Sequence, residues 1–350
     1  MSTEPLYPAY LPVRPEGFTP TLDIPASDTD EPGLRADSDL PDVLTSKMGI
    51  KNITPRVGTG IRNLQLGQLA PAGLDQVALL AAQRGVLVFR DQDFADIGPG
   101  RQLEIAKHFG PLHKIFLFFP HTLQPMGTGP EFQVVYADEK VGNLRDLLGL
   151  RTNYDLWHVD QTFTPNTPGT TFFWVLEIPA SGGGDTAFTS LTAAYKALSP
   201  TFREGLHRLK LLHTSASVGE VAIVGQERAL KEAVKTEHPL VISHPMTKEP
   251  VLFVNPAIAR QVIGYKSSES DLVLGFLHDH IRSLDFSCRV SWEKGTVVVW
   301  DQRTVAHSAV PDFADGERRH VVRIIPYGSQ RSLCRQRTCT SFNSYYTLNI

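Results

Sequence analysis

From Gly49 onward, short runs of aliphatic and aromatic residues are separated by Gly, Pro and Asn clusters, the rhythm of brief strands punctuated by turns. These runs predict strands at residues 86–89, 132–136, 170–177, 186–188, 240–244, 251–254, 296–300 and 320–325. Helical spacing of apolar positions instead marks residues 74–83, closed by Gly85 as a C-cap, and then 100–109, 191–208, 226–235 and 268–283. Strands and helices do not alternate regularly, which argues against a doubly wound parallel sheet. The expected fold class is mainly β with flanking helices, a closed sandwich or jelly roll.

The two ends depart from this pattern. Residues 1–45 are rich in Pro, Asp, Glu, Ser and Thr and hold too few aliphatic residues to fold alone, so they read as an N-terminal extension that must drape over something else. Residues 46–330 form the expected catalytic domain. Residues 331–350 read as a C-terminal tail whose aromatic cluster, Phe342, Tyr345 and Tyr346, could close over a cavity or pack on the surface.

Composition narrows the partners. A formal charge of −3, with 20% charged residues, lacks the basic excess of a nucleic-acid binder or a polybasic membrane anchor. No run approaches the roughly 18 apolar residues of a spanning helix, and residues 1–20 lack an apolar stretch behind a basic start. A cytoplasmic protein is expected, and a homo-oligomer is left open. Cys288, Cys334 and Cys339 form no C-x-x-C pair, so any metal must be held by His and carboxylates.

Of twelve histidines, one alone is followed two residues later by a carboxylate: His158-Val159-Asp160. In extended chain, residues i and i+2 point to one side, so this pair can chelate one ion and needs a third ligand from elsewhere. His307, just past the apolar strand at 296–300, is the natural candidate. Two imidazoles and a carboxylate on one face of an octahedron leave three positions open, the facial arrangement of non-haem ferrous oxygenases. The plain alternative for the motif alone is a cap or a surface hydrogen-bond pair.

Downstream, Arg319, Val321 and Arg323 share one face of a strand, so two guanidiniums project from an apolar run. A buried guanidinium is costly without an anion, and its planar fork suits carboxylates, which suggests small anionic ligands in the same cavity. Ion pairs with Asp312 or Asp315 are the alternative. The turn Ser181-Gly182-Gly183-Gly184-Asp185 enters a strand whose Thr186 hydroxyl could donate to a carboxylate. It lacks the Lys-Ser/Thr of a phosphate-binding loop.

Taken in order, Trp157-His158-x-Asp160-x-Thr162-Phe163, Gly183-Gly184-Asp185-Thr186, His244-Pro245 with Leu252-Phe253-Val254-Asn255, Trp300-Asp301-x-Arg303 with His307, and Arg319 with Arg323 resemble the taurine dioxygenase family of iron(II)/2-oxoglutarate-dependent oxygenases. The likeness runs from about Lys51 to Pro326. It implies a double-stranded β-helix with Fe(II) on His158, Asp160 and His307, and with the far carboxylate of 2-oxoglutarate on Arg319 and Thr186. Arg323 would meet a substrate anion. With O2 as the second co-substrate, hydrogen abstraction would give hydroxylation, desaturation or ring closure, and succinate and CO2 would leave.

The departures bear on the substrate. Of the polar residues that contact the sulfonate in taurine-oxidising relatives, His113 remains, while Ile115 stands where a second histidine would be and Tyr154 where an amide would be. A site with that apolar and aromatic bulk would leave sulfonate oxygens unpaired, which points to a small amino acid or a carboxylated natural-product intermediate. Fungal sulfonate dioxygenases share the N-terminal extension and keep sulfonates as the second reading. A zinc hydrolase would leave the paired arginines unexplained, and a non-catalytic jelly roll should have lost a triad ligand.

Overall fold

Within the strand Thr170–Glu177 the run Phe172 to Leu176 is apolar without a break because it is covered on both faces. In the computed structural model, which describes residues 6–13, 30–114, 122–125, 127–139, 157–216, 233–329 and 332–333, this strand is central to a large sheet. Its neighbours are Arg319–Ile324 on one side and Val297–Asp301 on the other, both antiparallel. Gln133–Ala137 extends one edge, and Val86–Phe89, Thr59–Arg62 and Gly49–Asn52 extend the other.

A smaller sheet faces it, ordered Ser287–Val290, Thr186–Ser190, Val305–Ala309. Phe173, Trp300 and Val321 of the large sheet pack against Phe188, Val290 and Val305 of the small one and form the interior of the jelly roll. The opposite face of the large sheet, through Phe172, Trp174 and Val299, packs in one core with Val77, Ala78 and Ala81 of the helix Pro71–Arg84. The mainly β expectation with flanking helices is met.

Several boundaries move for local reasons. The first helix begins at Pro71, whose fixed φ suits a first helical position, and ends at Gly85 with φ 75°. The expected helix 191–208 is two helices, Leu191–Ala197 and Pro200–Leu206. Pro200 forces the preceding residues out of the α region, and the Ser199 hydroxyl accepts from Phe202 N to start the second helix. Lys235 belongs to a strand, Lys235–Pro239, and not to a helix 226–235; residues 217–232 lie outside the described residues.

His307 also sits differently from expectation. It occupies the middle of its own strand, Val305–Ala309, because the chain turns sharply at residues 301–304, where Thr304 N donates to Asp301 O at 3.0 Å, and re-enters in the opposite sheet.

The described parts of the two flanking segments are tied to this body. Tyr10, Leu40 and Val43 are buried in the main core, and the Tyr10 hydroxyl donates to Gln102 Oε1 at 2.8 Å. Ser332–Leu333 pairs with Ile242 and Ser243 as a strand. Phe342, Tyr345 and Tyr346 lie outside the described residues. No helix among the described residues is long and apolar enough to cross a membrane.

Candidate active site

At one point of the roll His158 and His307 form an antiparallel bridge, exchanging backbone hydrogen bonds of 2.9 and 2.8 Å. Their rings lie 4.1 Å apart, centroid to centroid. Asp160, two residues on, brings Oδ1 to 3.6 Å from His158 Nε2 and Oδ2 to 3.9 Å from His307 Nε2. One donor atom from each of the three lies within 4.8 Å of the others, close enough to hold one metal ion. No other group of three or more His, Cys, Asp or Glu among the described residues is so placed.

Two of the three groups are shifted toward the form that ligates a metal. Burial first, and then the neighbouring His158, push His307 well below the usual histidine range, so its ring is neutral and keeps a lone pair. Burial would raise the Asp160 carboxyl, but its neighbours, led by the Arg323 charge, outweigh it and hold the group below the usual carboxylate range. The donor set therefore fits ferrous iron as well as its chemistry requires.

Asp160 is also clamped. Gln302 Nε2 donates to Asp160 Oδ2 at 2.6 Å and to Thr171 Oγ1 at 3.0 Å, while Gln302 Oε1 accepts from Asp160 N at 3.2 Å. Arg323 Nη1 donates to the same Oδ2 at 3.0 Å. With Oδ2 taken by these two donors, Oδ1 is the oxygen left for a metal.

Arg319 is buried against the glycine turn. Its Nε and Nη2 both donate to Gly184 O, at 3.1 and 2.9 Å, and among the described residues no carboxylate pairs with it. Burial pushes this guanidinium down to about 10, with Asp185 opposing. Asp312, which could have been its partner, instead takes Arg289 at 2.6 Å and accepts from Gly184 N at 2.9 Å. Gly184 has φ 67°, and a Cβ there would lie 2.8 Å from Arg319 Nε. Thr186 is buried two residues further along, opposite Ala309 in the strand that carries His307.

Arg323 reaches the triad through Asp160, and its Nε donates to Gln133 Oε1 at 2.6 Å. His113 is buried beside the same amide, with its Nδ1 3.1 Å from Gln133 Nε2. Ile115 and Tyr154 lie outside the described residues. The sequence had offered no sign of Gln133, and Gln302 stood as the unassigned residue within Trp300-Asp301-x-Arg303. The available signal for Gln302 was its place in the polar stretch between the apolar strand Val297–Asp301 and the strand that carries His307.

A β roll that brings two imidazoles and one carboxylate within reach of one ion, with two arginines on one strand of its large sheet, has the construction of a non-haem dioxygenase. The family model of taurine catabolism dioxygenases, the TauD, TfdA family, matches residues 49–325, and the chain belongs to this family. It is 43% identical to the alpha-ketoglutarate-dependent dioxygenase cnsP of Penicillium expansum, over 93% of this chain and 87% of that protein. It is 35% identical to the alpha-ketoglutarate-dependent sulfonate dioxygenase of Saccharomyces cerevisiae, over 91% of this chain and 77% of that one. The crystal structure of a taurine dioxygenase from Burkholderia xenovorans superposes with a TM-score of 0.62 at 27% identity, covering 81% of this chain and 90% of its own. Membership decides for an oxidoreductase over the zinc-hydrolase and binding-protein alternatives.

Proposed function

We propose that this dioxygenase oxidises a small carboxylated organic molecule, an amino acid or a natural-product intermediate, using Fe(II), 2-oxoglutarate and O2 in the cytosol. The observation that carries this reading is the pair of guanidiniums on Arg319–Ile324, one buried without a carboxylate and the other touching the triad. His158, Asp160 and His307 would hold the iron. Arg319 spends one edge of its fork on Gly184 O and keeps the other for the far carboxylate of 2-oxoglutarate, with the Thr186 hydroxyl as a further donor. Arg323 and His113 would hold the substrate's anionic head. Bound iron supplies O2 activation, coupled to decarboxylation of 2-oxoglutarate to succinate and CO2 and to hydrogen abstraction from the substrate. What the side chains do is hold the substrate: the position of its C–H bond relative to the triad decides among hydroxylation, desaturation and ring closure.

The likeness to the yeast sulfonate dioxygenase supports a second reading, an alkylsulfonate dioxygenase that releases sulfite. Succinate release by the Fe(II)-reconstituted protein separates the two, measured with a panel of alkylsulfonates and of branched and aromatic amino acids, with products weighed by mass spectrometry. Stimulation by an amino or carboxylic acid is the expected result. Stimulation by sulfonates alone, with sulfite formed, establishes the second reading instead. Absence of iron-dependent succinate with every compound refutes both.

The role given to Arg319 has its own check. In Gly184→Ala the new Cβ displaces the guanidinium, costing charge-assisted bonds of about 1.5–3 kcal/mol, so the KM for 2-oxoglutarate should rise at least about tenfold while iron content is kept. An unchanged KM would remove Arg319 from the co-substrate site.

A further inference from the structure

Arg323 carries donors only, so its Nε–H, 2.6 Å from the Gln133 side chain, must meet the amide oxygen. That orients the amide, and the amide nitrogen, itself a donor, then lies 3.1 Å from His113 Nδ1. A ring nitrogen that accepts is unprotonated, so the proton of a neutral imidazole sits on Nε2. The pairing is built into the fold: Gln133 stands directly opposite Arg323 in the strand register, and His113 is anchored by its backbone N–H to Ile325 O at 2.8 Å. Burial first, and then the Arg323 charge, push the His113 ring down to about 3, in keeping with a neutral ring at physiological pH.

We propose that Gln133 is a specificity-determining residue, which locks His113 as a neutral Nε2–H donor at one end of its amide while holding Arg323 at the other. The inference rests on the reading of Arg323 and His113 as the substrate-head site and says which anion that site takes. One fixed positive charge with one neutral donor matches a monoanion such as a carboxylate. A dianionic phosphate monoester would need the second charge that a protonated His113 supplies, and the Gln133 amide opposes that protonation by occupying Nδ1 with a donor.

The test uses the Zn(II)-loaded, 2-oxoglutarate-bound protein with 15N-labelled histidine, His113 being assigned with a His113→Asn variant. Hexanoate, hexanesulfonate and hexyl phosphate serve as probes. The wild type should show a pyrrole-like Nε2 and a pyridine-like Nδ1, and should bind hexanoate at least tenfold more tightly than hexyl phosphate. In Gln133→Glu, which still accepts from Arg323 but cannot donate to Nδ1, the Nδ1 signal should become protonated and the preference for hexanoate should fall. Gln133→Met, neutral and of similar size, should lose the fixed tautomer without adding charge, and metal content and 2-oxoglutarate affinity should be unchanged in both. A wild-type ring protonated on Nδ1, or a tautomer and a hexanoate preference that ignore both substitutions, overturns the proposal. A ring that follows Gln133 while no probe shifts it overturns the substrate-head reading and the specificity role together. Response to hexanesulfonate but not hexanoate keeps the monoanion lock and moves the substrate class to sulfonates.

Discussion

His158→Ala should abolish iron-dependent succinate formation and lower Fe(II) affinity by more than about 100-fold, because even residues behind a metal's own ligands contribute 10–100-fold. The fold should survive, since the bridge to His307 uses backbone groups that alanine keeps, at 2.9 and 2.8 Å. Metal content after chelation and reloading, succinate release and thermal unfolding measured on the same preparation make the comparison complete. Wild-type protein stripped by a chelator should recover with Fe(II), whereas the variant should not. A variant that keeps both iron and turnover would show that the triad is not the metal site.

The second large effect concerns stability. Arg303 is fully buried between Asp301, with Nη2 2.7 Å from Oδ2, and Glu31, with Nη1 2.5 Å from Oε1. Ser329 adds its N–H and hydroxyl to the same Glu31 oxygen, at 2.8 and 2.6 Å, and His244 Nε2 lies 3.0 Å from Asp301 Oδ2. Arg303→Met should cost about 3–5 kcal/mol by stranding two carboxylates, a large share of the roughly 5–15 kcal/mol that holds a domain together. The turn at residues 301–304 leads directly into the His307 strand, so metal affinity should weaken with it.

Glu31→Gln gives the pH side of the same cluster. Burial would raise the Glu31 carboxyl, but Arg303 and Ser329 outweigh it and hold the group below its ordinary value. A carboxyl depressed in the folded state stabilises above its unfolded value of about 4.3 and loses that stabilisation as the pH falls through the folded one. The wild type should therefore unfold at a higher temperature than Glu31→Gln at pH 7, and the gap should shrink below about pH 4. A gap of constant size across this range would show that the charge of Glu31 is not what holds the segment.

Local spacing along the chain was enough to put the candidate side chains on a common side. His158 and Asp160 are two residues apart, Arg319 and Arg323 are four, and the two-residue repeat of extended chain puts each pair on one side wherever the strand lies. The apolar runs were likewise enough for a β roll, because strands covered on both faces must be apolar throughout. The break at Ser199-Pro200 was equally local and could have been read there.

What only the tertiary structure decided is the set of partners that hold these groups. Gln302 meets Asp160 across 142 positions, Gln133 meets Arg323 across 190, and Glu31 meets Arg303 across 272. Nor could periodicity tell that the chain turns after Asp301 and returns His307 in the opposite sheet, where it faces His158. Covalent spacing sets which way a side chain points within its own element. Which distant donor or acceptor meets it depends on how sheets stack and strands register, and that is a property of the whole packed chain.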